Sequence, residues 1–356
     1  MKVTVTKYLN VRVGAPSVNA PCYNYLAPGS VIEVEEKTVP GDSYNDNNQW
    51  YKGFDGSYYW SGGVMPPTGL PALEVHSNYN TGLLKNIPPA LSSNKGKGVV
   101  VTVLDTGIYQ AHPDLANAFD PANFPAQNYS DSLKTDDMNG HGTHVAGLIG
   151  GRGNKPDSVT GVAPACILQS IKVLRDDGSE AGTYIEKGLN AVSPKTDLIN
   201  MSLSVTVDEY GQMLALVDKL SKTAVLICAA GSNEELLQST DALYCPACSP
   251  NVISVGVITD DFVKNNPGAV FNPNLDYILP QMDLRSTSLE SDGSYKNRNG
   301  SSMATALVSG LAALVISAAR SQKTVVTMAF VKSQLDIFAT KYSSAADLST
   351  LTLLKS

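Results

Sequence analysis

Apolar and polar residues alternate along the first part of the chain, and continuous apolar runs replace this alternation later. Residues 1–65 contain stretches such as KVTVTKYLNVRV, GSVIEVEEKT and QWYKGFDGSYYW, separated by turn-rich pieces such as PGDSYNDNN. Alternation with a period of two, bounded by Gly, Pro, Asn and Asp, is typical of short strands. The pattern predicts a small β-barrel over residues 1–65 and a linker rich in Pro and Gly over residues 66–82.

From residue 83 onward, apolar runs alternate with helical segments. GVVVTVLDTGI, ILQSIKVL, TDLINMSLS and TAVLICAAG are nearly continuous apolar runs, which mark strands that are buried on both faces. Helical segments such as DEYGQMLALVDKLSK lie between them. This order predicts an α/β fold, with a mostly parallel sheet flanked by helices, over residues 83–356.

Composition and charge narrow the classes of partner. The 356 residues are 43% apolar and 17% charged, and the formal net charge of −7 argues against a nucleic-acid partner. No run approaches the ~18 consecutive apolar residues that a membrane span needs. The N-terminus, MKVTVTKYLNVRVG, lacks the apolar region of a secretory signal. A cytoplasmic location is therefore expected, and export with removal of a signal is the alternative.

Five cysteines occur in the chain, which leaves at least one thiol unpaired. Cys245 and Cys248 form a CxxC motif. A redox or zinc-binding role for this motif would require a helix N-terminus beside it or a second cysteine pair, and neither is evident in the sequence. Buried free thiols are expected, or one local disulfide if the protein is exported.

Three kinds of polar side chain lie at element boundaries, where open parallel sheets bind their ligands. Asp105 follows the apolar run of residues 99–104, although alone it could simply cap the DTG turn. His141 and His144 lie in GHGTHVAG, and a metal site there would need further ligands that the sequence does not offer nearby. Ser302 begins an apolar helix and is either a packing residue or a nucleophile.

Asp105, His141 and Ser302 together supply the groups that nucleophilic catalysis needs. A serine hydroxyl requires an adjacent base, imidazole serves at neutral pH, and a carboxylate behind the imidazole fixes its tautomer. An α/β-hydrolase would place its histidine after the serine, but no histidine follows Ser302. The order Asp, His, Ser is instead the one found in subtilisin.

From about Gly98 to Leu335 the chain resembles the subtilisin-like serine proteases, or subtilases. VTVLDTGIYQAHPDL, NGHGTHVAGLIG and NGSSMATALVSG are similar to the aspartate, histidine and serine segments of that family, in the same order. The resemblance implies hydrolysis of peptide bonds in a polypeptide substrate through an acyl-enzyme, without a required cofactor. It assigns the triad carboxylate to Asp105, the base to His141 and the nucleophile to Ser302.

The resemblance also implies which segments bind the substrate. An extended polypeptide would add as a strand between two edges, Ser202-Leu203-Ser204 and Asp177-Gly178-Ser179. The floor of the specificity pocket would be Ala229-Ala230-Gly231. The alternative is that these segments are plain sheet scaffold.

Two departures from the family pattern affect the expected chemistry. The oxyanion asparagine of the family usually follows A-A-G, but here Ser232 takes that place and Asn233 comes one residue later. We expect Asn233 to be the donor through a shift of the loop, with Ser232 as the alternative. A crippled oxyanion hole would make the chain a peptide-binding protein. Ala306 replaces a common proline, which raises the alternative of a peptide ligase or cyclase.

Calcium is common in the family as a structural ion. Asp114 and the loop of residues 150–161 offer candidate oxygen ligands, although the loop is not densely acidic. The expectation is that no metal is required and that Asp114 is a weak calcium candidate.

Residues 1–65 resemble a bacterial SH3-like domain. The likeness is carried by YLNVRVG, LAPGSVIEVEE and the Trp-rich QWYKGFDGSYYW. Such domains often bind peptides or cell-wall peptidoglycan, which would make one of these a further partner. The alternative is that the aromatic residues only fill the core, because a barrel this small needs them for burial.

Overall fold

The structure is a computed structural model of the chain. It describes residues 2–5, 9–26, 30–35, 37–44, 47–65, 89–153, 158–205, 212–237, 244–265, 271–272, 274–290 and 293–338. The predicted linker over residues 66–82 lies outside the described residues. Contacts divide the chain into an N-terminal and a larger C-terminal unit, with the division between Glu74 and Val75.

The N-terminal unit is made of short antiparallel strands. These are β1 (Lys2–Val5), β2 (Leu9–Val13), β3 (Cys22–Leu26), β4 (Val31–Glu33), β5 (Val39–Tyr44), β6 (Asn47–Lys52), β7 (Ser57–Trp60) and β8 (Val64–Met65). They form one sheet in the order β4-β1-β8 and another in the order β3-β2-β7-β6-β5. The described strands do not close on themselves, so the antiparallel strands are confirmed and the predicted barrel is not.

Aromatic side chains contribute to the core of this unit. Trp50, Tyr51 and Tyr59 are buried, and the last two pack with Val and Leu side chains from both sheets. Tyr58 and Trp60 are half-buried. Part of the aromatic pattern therefore serves burial, as a core this small requires.

The C-terminal unit is built on a parallel sheet, which confirms the predicted α/β architecture. Its seven strands lie in the order β10-β11-β9-β12-β13-β14-β15. They are β9 (Val100–Asp105), β10 (Gln127–Asn128), β11 (Ile167–Lys172), β12 (Leu198–Met201), β13 (Val225–Ser232), β14 (Ile253–Ile258) and β15 (Tyr277–Pro280). A two-stranded hairpin, β16 (Leu284–Thr287) and β17 (Tyr295–Arg298), follows the sheet.

Helices cover both faces of this sheet. They are α1 (Pro89–Ser92), α2 (His141–Gly150), α3 (Gly182–Asn190), α4 (Met213–Leu220), α5 (Asp260–Asn265), α6 (Ser301–Ser321) and α7 (Met328–Leu335). Helices α2, α6 and α7 share one apolar core with the sheet. Helices α3, α4 and α5 share the other. The strands between these layers are buried on both faces, which explains their continuous apolar runs.

Helix α6 is long and apolar enough to cross a membrane by length and composition, but 94% of its most apolar window is buried inside the protein. It contacts α2 and strands β12, β13 and β14. Its many Ala, Ser and Gly residues let neighbouring elements approach from nearly all sides. A helix that is apolar all round is typical of the core of a large domain.

The strand register brings several polar residues to one edge of the sheet. Lys172 at the end of β11 pairs with Asp105 at the end of β9. Strands β12 and β13 run parallel to them, so Ser202 directly follows the end of β12 on the same side. Carboxyl ends of parallel strands are where such sheets place their ligand sites.

Candidate active site

Asp105 is a fully buried carboxylate at the end of β9. Its Oδ1 atom lies 2.7 Å from His141 Nδ1 and also accepts the Thr106 backbone N–H at 2.7 Å. A buried carboxylate without partners would be costly, so these contacts are what allow it to remain at this position. The simpler interpretation, an aspartate that only caps a turn, does not account for the imidazole contact.

His141 is the first residue of α2, and Asp137 fixes where that helix begins. The Asp137 carboxylate accepts the backbone N–H groups of Gly140 and Thr143, each at 2.9 Å. It also accepts the Thr106 hydroxyl at 2.9 Å. Because the first N–H groups of a helix have no partner within the helix, this capping holds the N-terminus of α2 against the end of β9.

A glycine allows α2 to approach the aspartate segment closely. A Cβ atom at Gly142 would lie 2.1 Å from the Gly107 carbonyl oxygen and 3.1 Å from Asp105 Oδ1. The Gly142 N–H donates to the Thr106 hydroxyl at 2.9 Å. Any larger residue at this position would move His141 away from Asp105.

The imidazole of His141 lies between charges of both signs, and its side chain is 21% exposed. Burial is the largest influence and lowers its pKa, but the charge of Asp105 and their hydrogen bond raise it. The charge of Arg298 lowers the pKa and that of Asp137 raises it, and the net result is a raised pKa. The carboxylates therefore stabilise the imidazolium form, as a general base requires.

His144 is a buried residue on the same helix, and its surroundings are those of a core histidine. Its Nε2 atom lies 3.0 Å from the carbonyl oxygens of Leu284 and Lys296, one on each strand of the β16–β17 hairpin. Burial lowers its pKa to about 4. His144 thus links the hairpin to α2 in the neutral form. The described residues contain no group of three or more His, Cys, Asp or Glu side chains arranged for a metal.

Ser302 is the second residue of α6 and lies against Ser202. Its hydroxyl donates to the Ser202 carbonyl oxygen at 3.1 Å, and the Ser202 hydroxyl donates to the Ser302 carbonyl oxygen at 2.9 Å. Within the described contacts, no hydrogen bond joins Ser302 to His141. The structure thus brings together Asp105 with His141, and Ser302 with the first residue of a predicted substrate edge.

The two candidate oxyanion donors have different surroundings. Asn233 has φ of 46°, and its Oδ1 atom accepts the Thr259 backbone N–H at 3.0 Å. Since the oxygen end of the amide is held there, Nδ2 is the end that points elsewhere. Ser232 caps the short 3₁₀ turn Asn233–Leu236, and its backbone N–H donates to Glu235 Oε2 at 2.7 Å.

The predicted edge of Ser202, Leu203 and Ser204 continues directly into a paired segment. Ser202 and Leu203 are buried and Ser204 is half-buried. Val205 and Cys245 exchange two backbone hydrogen bonds, of 2.7 and 3.1 Å. This pairing fixes the position of the chain directly after Ser204, the last residue of the predicted edge.

The second predicted edge lies beside the loop that leads to His141. Gly178 has φ of 86°, and a Cβ atom there would lie 3.2 Å from Asn139 Nδ2. Asn139 Nδ2 also donates to the Asp176 carbonyl oxygen at 3.2 Å. Gly178 and Ser179 are half-buried. The second predicted edge is therefore held, through Asn139, beside the loop that leads to His141.

The residues predicted to floor the pocket form the end of β13. Ala229 and Ala230 are buried. Gly231 has φ of 98°, and a Cβ atom there would lie 2.5 Å from Glu235 Oε2. The register of β13 against β14 shifts between Ala229 and Gly231. A bulge of this kind bends a strand and re-aims the residues beside it.

Sequence reasoning missed Lys172, a fully buried lysine at the end of β11. Its Nζ atom donates to the Thr106 carbonyl oxygen at 2.8 Å, to the Asp136 carbonyl oxygen at 3.4 Å and to Asp176 Oδ1 at 2.7 Å. It thus links the aspartate segment, the loop that leads to His141 and the residue just before the second predicted substrate edge. The available signal was a cation within the apolar run ILQSIKVL, since buried lysines need partners.

Cys245 and Cys248 form a disulfide, with Cα atoms 4.9 Å apart. Among the described cysteines, Cys22, Cys166 and Cys228 are not part of a disulfide. The Cys228 thiol donates to the Leu203 carbonyl oxygen at 3.3 Å. The Cys228 thiol therefore contacts the first predicted substrate edge, and the turn of Cys245 and Cys248 pairs with Val205 directly after it.

Asp114, the weak calcium candidate, is buried and bound by protein donors. Its Oδ2 atom accepts the Val159 backbone N–H at 3.0 Å and the Tyr295 hydroxyl at 2.7 Å. Residues 154–157 of the candidate loop lie outside the described part of the chain. The expectation that no metal is required, with Asp114 as a weak calcium candidate, therefore stays a prediction.

Comparison with known proteins assigns the family. A model of the subtilase family matches residues 96–335. An intracellular serine protease of Paenibacillus polymyxa is 38% identical over 232 residues, covering 64% of this chain and 69% of the relative. Subtilisin NAT of Bacillus subtilis subsp. natto is 37% identical over 232 residues, which cover 64% of this chain and 58% of that relative. Subtilisin of Bacillus pumilus is 37% identical over 235 residues, which cover 64% of this chain and 81% of that relative. The chain therefore belongs to the subtilase family of serine endopeptidases.

Proposed function

We propose that this endopeptidase works through a triad of Asp105, His141 and Ser302. The observation that carries the proposal is the 2.7 Å contact between Asp105 Oδ1 and His141 Nδ1 at the carboxyl edge of the sheet. The position of Ser302, at the start of α6 and against Ser202, supports its role as nucleophile. A carboxylate on Nδ1 leaves Nε2 as the ring nitrogen that accepts a proton.

In the proposed mechanism, Ser302 Oγ attacks the carbonyl carbon of the scissile bond while His141 Nε2 takes the hydroxyl proton. Asp105 stabilises the imidazolium that forms. His141 then gives the proton to the leaving amine, and an acyl-enzyme on Ser302 remains. Water, deprotonated by the same imidazole, hydrolyses this ester and restores the serine.

The Ser302 hydroxyl must turn from its present acceptor for this reaction. It now donates to the Ser202 carbonyl oxygen, and catalytic hydrogen bonds often form only in the substrate complex. An extended substrate paired with the edge at Ser202 offers its own N–H groups to that carbonyl. Substrate binding would then release the hydroxyl toward His141.

For the oxyanion, we propose the Ser302 backbone N–H and the Asn233 side chain as donors. The support for Asn233 is that Thr259 holds its amide oxygen, which leaves Nδ2 to donate. Ser232 is less suited because it already caps the following turn. One such side-chain donor contributes roughly 10²- to 10³-fold to the rate.

The substrate is proposed to bind as an extended strand between Ser202–Ser204 and residues 177–179, with a side chain over Ala229–Gly231. The contacts of Ser202 with Ser302, and of Asn139 with the Asp176–Gly178 segment, support this placement. Ala306, on which the ligase alternative rests, is fully buried within α6. That alternative therefore gains no support from its position.

Labelling with a serine-directed fluorophosphonate tests the triad. We expect stoichiometric labelling of the wild-type chain and none of Ser302→Ala. Ser301→Ala is the matched control, since Ser301 is the adjacent residue of α6, and it should label normally. Equal labelling of wild type and Ser302→Ala would contradict the proposal.

A cytoplasmic location is also part of the proposal, and the name of the Paenibacillus polymyxa relative, an intracellular protease, supports it. The Cys245–Cys248 disulfide weighs against it, because disulfides are rare in reducing compartments. We propose that hydrolysis needs no cofactor, since the three side chains supply nucleophile, base and orienting group.

The SH3-like assignment of the N-terminal unit is proposed from its antiparallel strands and its aromatic residues. Tyr44 and Trp60 make an edge contact with ring centroids 5.0 Å apart, and Phe54 is 72% exposed. Such rings suit a peptide or peptidoglycan ligand. Cosedimentation of the full chain with peptidoglycan, compared with Trp60→Ala, tests this. Equal recovery of both would remove the proposed ligand site.

A further inference from the structure

Charged residues of both signs lie near the loop that leads to His141. The segment of Asp176 and Asp177, which are both exposed, contacts Asn139 of this loop through the Asp176 carbonyl oxygen. Arg298, the last residue of β17, also contacts Asn139, and it lies just before the segment that leads into Ser302. The loop before His141 therefore has both carboxylates and a guanidinium near it.

Arg298 lies directly over the residue that precedes the base. A Cβ atom built on Gly140 would lie 3.3 Å from Arg298 Nη2. The same nitrogen is 3.5 Å from the Asn139 carbonyl oxygen, which is a long and weak hydrogen bond. The charge of Arg298 also lowers the pKa of both His141 and His144. The guanidinium therefore lies against Asn139 and Gly140, the two residues that precede His141.

Arg298 has no carboxylate partner among the described residues, whereas its neighbours are engaged. Lys296 pairs with Glu290 at 3.0 Å, and Arg285 packs over the Tyr295 ring. The nearby carboxylate of Asp283 accepts Asn299 Nδ2 at 2.7 Å. A half-buried guanidinium without a counter-charge is suited to a carboxylate, because its planar donors match the two oxygens.

The direction of the substrate decides what Arg298 meets, and this step rests on the proposed function. The acyl half of the substrate is proposed to lie along residues 202–204 and 177–179. The β16–β17 hairpin is not part of the seven-stranded sheet that carries the first edge, and it packs on α2 instead. Arg298 lies four residues before Ser302 and contacts Asn139, two residues before His141. The leaving half of the substrate, which takes its proton from His141, is therefore proposed to pass Arg298.

We propose that Arg298 is a specificity-determining residue that selects a carboxylate in the leaving half of the substrate, within the first few residues after the scissile bond. An ion pair that remains open to solvent gives a modest preference, of about two- to fivefold in kcat/KM over a neutral isostere. A cation at the same substrate position is disfavoured by like charge. Rising salt weakens both effects.

The experiment compares peptides that differ at a single position. Amidated peptides carry Glu, Gln or Lys at the first or second position after the cleaved bond, and kcat/KM is measured for each. Wild type should prefer Glu over Gln by about two- to fivefold, and Gln over Lys. Arg298→Met should equalise the three substrates, and Arg298→Glu should reverse their order.

Lys296→Met is the matched control, because Lys296 is a cation on the same strand that already pairs with Glu290. It should keep the wild-type preference. A second arm uses peptides without acidic residues and compares a free C-terminal carboxylate with an amide. A preference for the free carboxylate that Arg298→Met abolishes would support the proposal with the chain terminus as the source.

The outcomes separate this inference from the proposed function. Equal kcat/KM for Glu, Gln and Lys peptides in wild type, with no gain from a free carboxylate, would overturn the role of Arg298 alone. A preference for acidic residues that survives in Arg298→Met would overturn it as well. Failure of wild type to cleave any peptide would overturn the proposed function, and this inference with it.

Discussion

At the scale of single residues, the pKa of His141 is determined by a few nearby groups. Burial lowers it most, Asp105 raises it by charge and by hydrogen bond, Arg298 lowers it and Asp137 raises it. His144, on the same helix, is held neutral by burial. Each of these groups can be changed by itself, so the balance can be tested.

The pH dependence of activity follows from this balance. A protonated imidazole cannot accept the serine proton, so kcat/KM should rise with pH through the pKa of His141, above the ordinary value of about 6.5. Asp137→Asn should move the rise to lower pH, and Arg298→Met to higher pH. A flat profile between about pH 5 and 8, or shifts in the opposite directions, would contradict His141 as the base.

The oxyanion assignment predicts a difference between two neighbouring residues. Asn233→Ala should lower kcat by roughly 10²- to 10³-fold with little change in KM, because the donor acts on the transition state. Ser232→Ala should mainly cost about 1 kcal/mol of stability through loss of the cap. A loss in kcat of under about threefold for Asn233→Ala would remove that assignment.

At the scale of elements, the site depends on how loops are joined at the edge of the sheet. Asp137 holds the start of α2, and Lys172 joins three segments through Thr106, Asp136 and Asp176. The turn of Cys245 and Cys248 pairs with Val205, directly after the first predicted substrate edge. These links are made mostly to backbone groups.

Removing the Lys172 ammonium should destabilise the domain. Lys172→Met keeps the buried chain but leaves two carbonyl oxygens without their donor, so the free energy of unfolding should fall by about 1–3 kcal/mol. Asp176→Asn is the control, since its carboxylate is 48% exposed and contributes less. Urea denaturation measures both, and equal stability of Lys172→Met and wild type would contradict the role given to the ammonium.

The disulfide predicts the number of reactive thiols. Purified protein, unfolded without reductant, should expose three thiols, from Cys22, Cys166 and Cys228, and five after reduction. Thiol titration measures both values. Five thiols before reduction would show that Cys245 and Cys248 are reduced in the purified protein.

At the scale of the whole molecule, the hydrophobic pattern of each segment predicted those features of the fold that depend on that segment alone. Continuous apolar runs predicted the parallel sheet because its strands are buried on both faces. Barrel closure depends on which edge strands meet, and alternation within single strands does not specify that. This is why the N-terminal strands were predicted while their arrangement in two separate sheets was not.

The candidate active site shows the same limit, because local sequence pattern does not reveal contacts between distant segments. Asp105 and His141 were recognised because each lies at an element boundary within a family motif. Lys172 was missed because two of its three partners, the carbonyl oxygens of Thr106 and Asp136, lie 66 and 36 positions away in the sequence. The Ser302–Ser202 hydrogen bonds span 100 positions and were equally beyond a local pattern.

The donors on Asp114 predict how the protein responds to a chelator. Because Asp114 Oδ2 already accepts Val159 N–H and the Tyr295 hydroxyl, dialysis against EDTA should leave kcat unchanged. Tm should shift by less than about 2 °C, which corresponds to at most about 1 kcal/mol for a domain of this size. A larger drop in Tm that added Ca²⁺ reverses would contradict this expectation.

The most direct test of the triad is the kcat of Ser302→Ala, His141→Ala and the double variant on one peptide substrate. Residues that act as a unit have non-additive effects, so each single change should lower kcat on the order of 10⁴- to 10⁶-fold, and the double variant should lose little more. Multiplicative losses in the double variant, or a single variant that keeps a tenth or more of the wild-type kcat, would contradict the account.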